Sequence, residues 1–86
     1  MITYEMKFSD GIEATMEQKE KWELDDAPIN RKCVLFFLNG EEYTGIYKGL
    51  EGSDIMLESL LSKNLIGLPW VKLTHFLLEV FAEADA

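Results

Sequence analysis

Residues 33–50 read CVLFFLNGEEYTGIYKGL, and this stretch decides the fold. Val34–Leu38 is apolar on both alternating faces, as in a strand that is covered from two sides. Asn39-Gly40 follows, and this dipeptide predicts a hairpin because both residues tolerate the positive φ angles of a type I′ turn. The chain then returns as Glu42–Leu50, where Gly45 predicts a bend or bulge. A β-hairpin is therefore expected at the centre of the molecule.

Three more short strands are predicted downstream, each bounded by turn-forming residues: Ile55–Leu60, Leu65–Val71 and Phe76–Val80. Pro69 places the middle one at an exposed edge, because proline has no N–H to donate to a neighbouring strand. Leu73-Thr74-His75 predicts a tight turn before the last strand. An amphipathic helix stays open for residues 73–84, because their apolar side chains also recur at helical spacing. We favour the strand, since the preceding strands need a partner.

The N-terminal residues 1–16 alternate between apolar and polar side chains on both sides of Asp10-Gly11. This period of two around an Asp-Gly turn predicts a β-hairpin. The alternative for residues 9–24 is a helix capped by Ser9 or Asp10, whose apolar face would be thin. We favour the hairpin, so residues 1–28 form a hairpin or, in the alternative, a helical extension.

The chain has 86 residues, of which 16 are acidic and 8 basic, giving a formal net charge of −8. This length predicts one domain over 1–86, made of the extension, a barrel at 31–81 and a frayed tail at 82–86. Charge of this sign repels nucleic-acid phosphate and anionic membranes, so neither is an expected partner. It either keeps a small domain soluble or offers an acidic face to a basic protein.

Residues that could bind metal or direct export are sparse. The single cysteine, Cys33, cannot form an internal disulfide and is expected to be a small buried residue. His75 has no second ligand at metal spacing, so neither a metal nor a cofactor is expected. Met1–Phe8 lacks the pattern of a signal peptide, and no apolar run approaches the about 20 residues of a membrane span, so a cytoplasmic protein is expected.

The succession of these features from Cys33 to Val80 resembles the Sm-like fold, and within it the bacterial Hfq branch. The matching residues are the apolar strand, Asn39-Gly40, Gly45 and the stretch Trp70–Leu73 before a last apolar strand. The resemblance implies a mainly β protein: a five-stranded bent barrel of Sm-like or Src-homology-3-like type, with the N-terminal hairpin or short helix packed on it. Sm-like proteins typically form rings joined strand to strand, so the resemblance also implies self-association.

The chain departs from the family at the positions that contact RNA. Where the family has base-contacting residues after the second strand, Glu51–Asp54 contains no aromatic residue to stack on a base. Pro69-Trp70-Val71 stands where Hfq has Tyr-Lys-His. Stacking and phosphate neutralisation are the two interactions on which single-strand binding relies, so RNA binding is not expected at these positions. In size and acidity the chain is similar in type to Rof, an acidic Sm-like inhibitor of the Rho terminator.

Four aromatic residues are candidates for binding a partner: Trp22, Tyr43, Tyr47 and Trp70. Trp70 either plugs one end of the barrel or forms an exposed anchor, a role in which tryptophan is enriched. Trp22 is expected to fold onto the barrel from an acidic loop. The two tyrosines share one face of the second strand, which fits core or cross-strand contacts better than a ligand platform.

The leading hypothesis is a non-enzymatic interaction module, an acidic Sm-like barrel that self-associates as a dimer or ring and binds a protein partner, a basic one being a candidate. It is favoured because Val34–Leu38 needs cover on its second face, which either the N-terminal hairpin or another subunit must supply. No triad arrangement and no phosphate-binding glycine motif is present, so no catalytic residue is proposed. The alternative is an RNA-binding Sm-like protein that uses a non-standard surface. A third class, an enzyme or ligand carrier, would require a pocket at the barrel mouth.

Overall fold

The computed structural model describes residues 2–81, and the predicted mainly β class is confirmed by a single antiparallel sheet of seven strands. The strands are β1 (Thr3–Lys7), β2 (Glu13–Glu20), β3 (Arg31–Phe37), β4 (Glu42–Glu51), β5 (Asp54–Glu58), β6 (Leu65–Pro69) and β7 (Leu73–Glu79). Two 3-10 helices, η1 (Lys21–Asp26) and η2 (Trp70–Lys72), precede β3 and β7. The predicted frayed tail at 82–86 lies outside the described residues.

The sheet is open, with the strand order β1-β2-β7-β3-β4-β5-β6. A closed barrel over 31–81 would require β6 to pair with β7. That pairing is not available, because β7 already has β3 on one side and β2 of the N-terminal hairpin on the other. Within the described residues, β1 and β6 are therefore the two free edges of the sheet. No helix among residues 2–81 has the length and apolarity to cross a bilayer.

The N-terminal hairpin is confirmed, with Tyr4 opposite Met16 and Met6 opposite Ala14. Gly11 adopts a φ of 80° at the turn, a conformation that glycine reaches without strain. The alternative of a helix over 9–24 is wrong for most of that range, because β2 continues to Glu20. Helical structure begins only at η1.

The C-terminal segment is a strand through Glu79, so the helical alternative for 73–84 is wrong over the residues described. The predicted turn at Leu73-Thr74-His75 is also wrong, because these residues already belong to β7. The chain turns earlier, through η2, where the Leu38 N–H donates to the Lys72 carbonyl at 2.9 Å. Thr74 is held in place by its hydroxyl, which donates to the Phe36 carbonyl at 2.9 Å.

Each face of β3 packs into a different apolar cluster. One face contributes Cys33, Leu35 and Phe37 to a core shared with η1, β4, β5 and β7. The other face contributes Val34 to a second cluster with Leu77 and three residues of the N-terminal hairpin region: Phe8, Ala14 and Met16. The hairpin thus supplies the cover that a strand apolar on both faces requires. That observation no longer calls for a second subunit, and self-association stays a prediction.

Gly45 serves close packing and does not mark the predicted bend. The irregular register of β4 lies between Tyr47 and Leu50, whereas Gly45 pairs regularly with Cys33. A Cβ atom at Gly45 would lie 2.5 Å from the Glu58 carbonyl oxygen and 2.9 Å from Leu57 Cγ. Only glycine lets β5 approach β4 this closely, because no other residue lacks a Cβ.

Candidate functional site

Helix η1 places Trp22 and Asp25 on one face. In a 3-10 helix residues three apart are eclipsed, so these two side chains lie one above the other. Leu24 points the other way and is fully buried in the core. A capping box fixes the start of the helix, since Glu20 N–H donates to the Glu23 carboxylate at 2.9 Å. With Leu24 anchored inward, Trp22 is left 67% exposed.

Trp70 approaches the same place from helix η2. Its backbone N–H donates to the Ser53 carbonyl at 3.0 Å, which ties η2 to the turn between β4 and β5. One edge of the indole packs on the core, and its Nε1 is buried without a hydrogen-bond partner among the described residues. The Lys21 ammonium lies 4.1 Å from the ring centroid and donates to the Val71 carbonyl at 3.2 Å.

The two tryptophans line a cavity of about 360 Å³, together with residues of η1, β4 and the following turn: Asp25, Leu50, Gly52 and Ser53. Asp25 is the acidic residue among those that line this cavity. We call this cavity the tryptophan pocket. A second hollow of about 240 Å³ lies beside Trp22 and is lined by Glu23 and Asp26, and also by Lys19, whose ammonium lies 3.8 Å from the Glu23 carboxylate.

The tryptophan pocket has the chemistry to bind a cation attached to an apolar stem. An indole face attracts ammonium and guanidinium groups, most strongly where water is partly excluded. The Asp25 carboxylate supplies an opposite charge within the same cavity, and Leu50 supplies apolar contact. The chain's own Lys21 shows that a lysine ammonium occupies a face of Trp70 in this environment.

The other two candidate aromatic residues lie elsewhere. Tyr47 is buried at 2% exposure, and its hydroxyl donates to the Leu24 carbonyl at 3.0 Å, so it supports η1 from inside. Burial, with smaller contributions from Cys33 and Asp25, raises the pKa of Tyr47 to about 12. Tyr43 is half-buried against Phe37, and its hydroxyl donates to Glu41, which raises the pKa of Tyr43. The structure therefore brings Trp22 and Trp70 together, and neither tyrosine lines their pocket.

Residues that could carry metal or nucleophilic chemistry are dispersed or buried. No group of three or more His, Cys, Asp or Glu side chains within residues 2–81 is placed to hold a metal ion. Cys33 is fully buried, and burial raises the pKa of its thiol to about 12. His75 stacks on Phe36 with 4.6 Å between ring centroids and contacts the Thr74 hydroxyl at 3.0 Å.

No protein-family model, no curated protein and no solved structure matches this chain. The pocket residues that sequence reasoning missed are Asp25, Leu50, Gly52 and Ser53. The spacing of Trp22 and Asp25 could have indicated a shared face, but only for a 3-10 helix. Nothing in the sequence indicates that the turn carrying Ser53 meets η1.

Proposed function

We propose that this chain is a non-enzymatic interaction module, an acidic Sm-like small β domain that binds a basic segment of a protein partner in the tryptophan pocket. The observation that carries the proposal is the convergence of Trp22, Trp70 and Asp25 on one cavity. Trp22 is 67% exposed and has a hollow on each side, both of which contain carboxylates. An exposed tryptophan beside pockets is typical of the residues that dominate binding energy at protein interfaces.

The charge of the chain selects the kind of partner. The formal net charge is −8, Asp25 lines the tryptophan pocket, and Glu23 and Asp26 line the neighbouring hollow. A field of this sign raises the rate at which a basic segment arrives and repels phosphate backbones. Arginine and lysine side chains also bring apolar stems that can cover the indole rings.

The Sm-like assignment is part of the proposal and is supported by how residues 31–79 are arranged. The strands β3 to β7 are consecutive in the chain, β3 pairs with both β4 and β7, and strands β3, β4, β5 and β7 supply the buried residues of one core. Leu68 of β6 packs against that core from its edge. A sheet that surrounds a single core in this way is compatible with a bent small barrel.

Binding can be measured by fluorescence anisotropy with a labelled peptide of alternating arginine and valine. We expect Trp22→Ala and Asp25→Asn each to weaken binding of this peptide at least about tenfold, which corresponds to about 1.4 kcal/mol. Binding by the wild-type chain should weaken as salt is added, because salt screens the attraction of Asp25 and of the net negative charge for the basic peptide. A peptide of alternating glutamate and valine should not bind.

Glu13→Gln is the matched control, since it removes the same charge from the N-terminal hairpin and leaves the pocket intact. If Glu13→Gln weakened binding as much as Asp25→Asn does, the peptide would be responding to overall charge and the pocket proposal would be wrong. Tight binding of short single-stranded RNA in the same assay, weakening steeply with salt, would instead favour a nucleic-acid-binding protein.

A further inference from the structure

Strand β6 is an edge without charged residues, and Pro69 at its end is the position that offers no N–H to another chain. Its sequence, Leu65–Pro69, contains no charged residue, and Leu65 and Ile66 are 54% and 44% exposed. The other edge, β1, carries Glu5 and Lys7, and charged residues of this kind discourage pairing with another chain. The two free edges therefore differ, and β6 is the one suited to accept a further strand.

The backbone groups of β6 that face outward can be identified from the hydrogen bonds at its two ends. Trp70 N–H donates to the Ser53 carbonyl, and Ser59 N–H donates to the Asn64 carbonyl. Hydrogen-bonded pairs alternate along an antiparallel ladder, so Ile66 and Leu68 bond to β5. The N–H and C=O groups of Leu65 and Gly67 point away from the sheet.

A carboxylate lies over the outward-facing glycine. Asp54 pairs with Pro69, and a Cβ atom built at Gly67 would lie 3.4 Å from Asp54 Oδ2. Because Gly67 has no side chain, nothing on β6 separates this carboxylate from a strand added beyond it. Side chains directly opposite one another share a face of the sheet, so the residue opposite Gly67 would point to the side where Asp54 lies.

We propose that β6 binds an extended segment of the basic partner as an eighth strand, with an arginine or lysine opposite Gly67 held by Asp54. This inference rests on the proposed function, because the partner is the same. β6 leads directly into Trp70, so one extended segment can pair with β6 and place a further basic side chain in the tryptophan pocket. A second copy fits this edge less well, since each copy carries a net charge of −8 and has the same carboxylate over Gly67 in place of a basic side chain.

The test uses two versions of the arginine–valine peptide, N-methylated on alternate residues in opposite registers. An added strand bonds to β6 through every second peptide N–H, so methylation in one register should weaken binding at least about tenfold and in the other leave it within about twofold. Equal affinity for both methylated peptides would overturn strand addition. Failure of the unmethylated peptide to bind would count against the proposed function itself, so the two failures are distinguishable.

A matched pair of variants tests the same point from the protein side. Gly67→Ala and Gly67→Pro both add a Cβ, but only proline removes the outward N–H, a change that edge strands tolerate. We expect Gly67→Pro to bind the peptide at least about tenfold more weakly than Gly67→Ala. Asp54→Asn should weaken binding of the arginine–valine peptide. It should leave the affinity for a peptide with glutamine in place of arginine unchanged. A wild-type chain that sediments as a dimer, and becomes monomeric in Gly67→Pro, would assign the edge to a second copy and overturn the proposal.

Discussion

Replacing Gly45 with alanine is expected to lower the free energy of unfolding by about 3 kcal/mol, at the upper end of the range for overpacking. The new Cβ would lie 2.5 Å from the Glu58 carbonyl oxygen, which is backbone and cannot rotate away as a side chain could. Glu58 is held on both sides, since it pairs with Ile46 of β4 and with Leu65 of β6. Urea denaturation followed by circular dichroism measures the change.

Gly67→Ala is the control for this prediction, because it makes the same substitution in a strand of the same sheet. Its Cβ would be 3.4 Å from the Asp54 side chain, which can move aside. We expect a change of less than about 1 kcal/mol there, within the ordinary range for a surface position. If the two alanine variants were equally stable, the claim that β5 leaves no room for a Cβ atom at Gly45 would be wrong.

Replacing Asp10 with asparagine is expected to lower the melting temperature by about 10 °C, since a domain of this size loses about 4–8 °C per kcal/mol. Lys32 has a fully buried side chain, and its ammonium lies 3.0 Å from Asp10 Oδ2 and 5.2 Å from the Phe8 ring centroid. Losing the carboxylate removes a charged partner of this buried ammonium, which is far more costly than replacing both members of the pair. Lys32→Met combined with Asp10→Asn should therefore restore most of the lost stability.

Acid should also remove the stability that the ion pair between Asp10 and Lys32 contributes. The Ile12 backbone N–H, and then the Lys32 ammonium, hold the pKa of Asp10 below its ordinary value of 3.8. A carboxyl group with a lowered folded-state pKa stabilises the fold above its unfolded pKa and loses that effect as the pH falls through the folded value. The difference in melting temperature between wild type and Asp10→Asn should shrink below pH 3.8. Glu13→Gln is the control, since Glu13 has no ion pair among residues 2–81, and it should melt like wild type at neutral pH. A difference for Asp10→Asn that persists in acid would contradict the ion pair.

Much of the fold could be predicted because its turns are marked in the sequence. Asn39-Gly40 and Asp10-Gly11 place two hairpins correctly. The apolar residues Val34–Phe37 correctly indicate a strand that is covered on both faces, whereas Leu38, which the apolar pattern includes in that strand, lies beyond its end and is 72% exposed. The turn before β7 was misplaced because Thr74 and His75 are polar. Their place in the strand depends on tertiary contacts, such as the Thr74 hydroxyl with the Phe36 carbonyl, that no local pattern encodes.

The open sheet could not be predicted either. Alternation of apolar and polar residues predicts the N-terminal hairpin but does not indicate which other strand it pairs with. In the structure β2 takes the edge of β7 that closure of a barrel would need. The tryptophan pocket could not be predicted for the same reason, since it depends on tertiary contacts. Trp22 and Trp70 could be selected as aromatic candidates, but their meeting depends on how the sheet curves around one core. Alternation places Tyr43 and Tyr47 on one face of β4, but it does not show that Tyr47 is 2% exposed while Tyr43 is only half-buried.

Peptide titration followed by two-dimensional nitrogen–proton NMR tests the central claim most directly. The chain has two tryptophans, so the spectrum contains two indole N–H signals. On adding the arginine–valine peptide, both indole signals and the amides of Gly52, Ser53 and Gly67 should shift together and saturate with one dissociation constant, while amides of the N-terminal hairpin stay in place. Shifts confined to the hairpin, with both indole signals unchanged, would contradict a basic segment bound between the tryptophan pocket and β6.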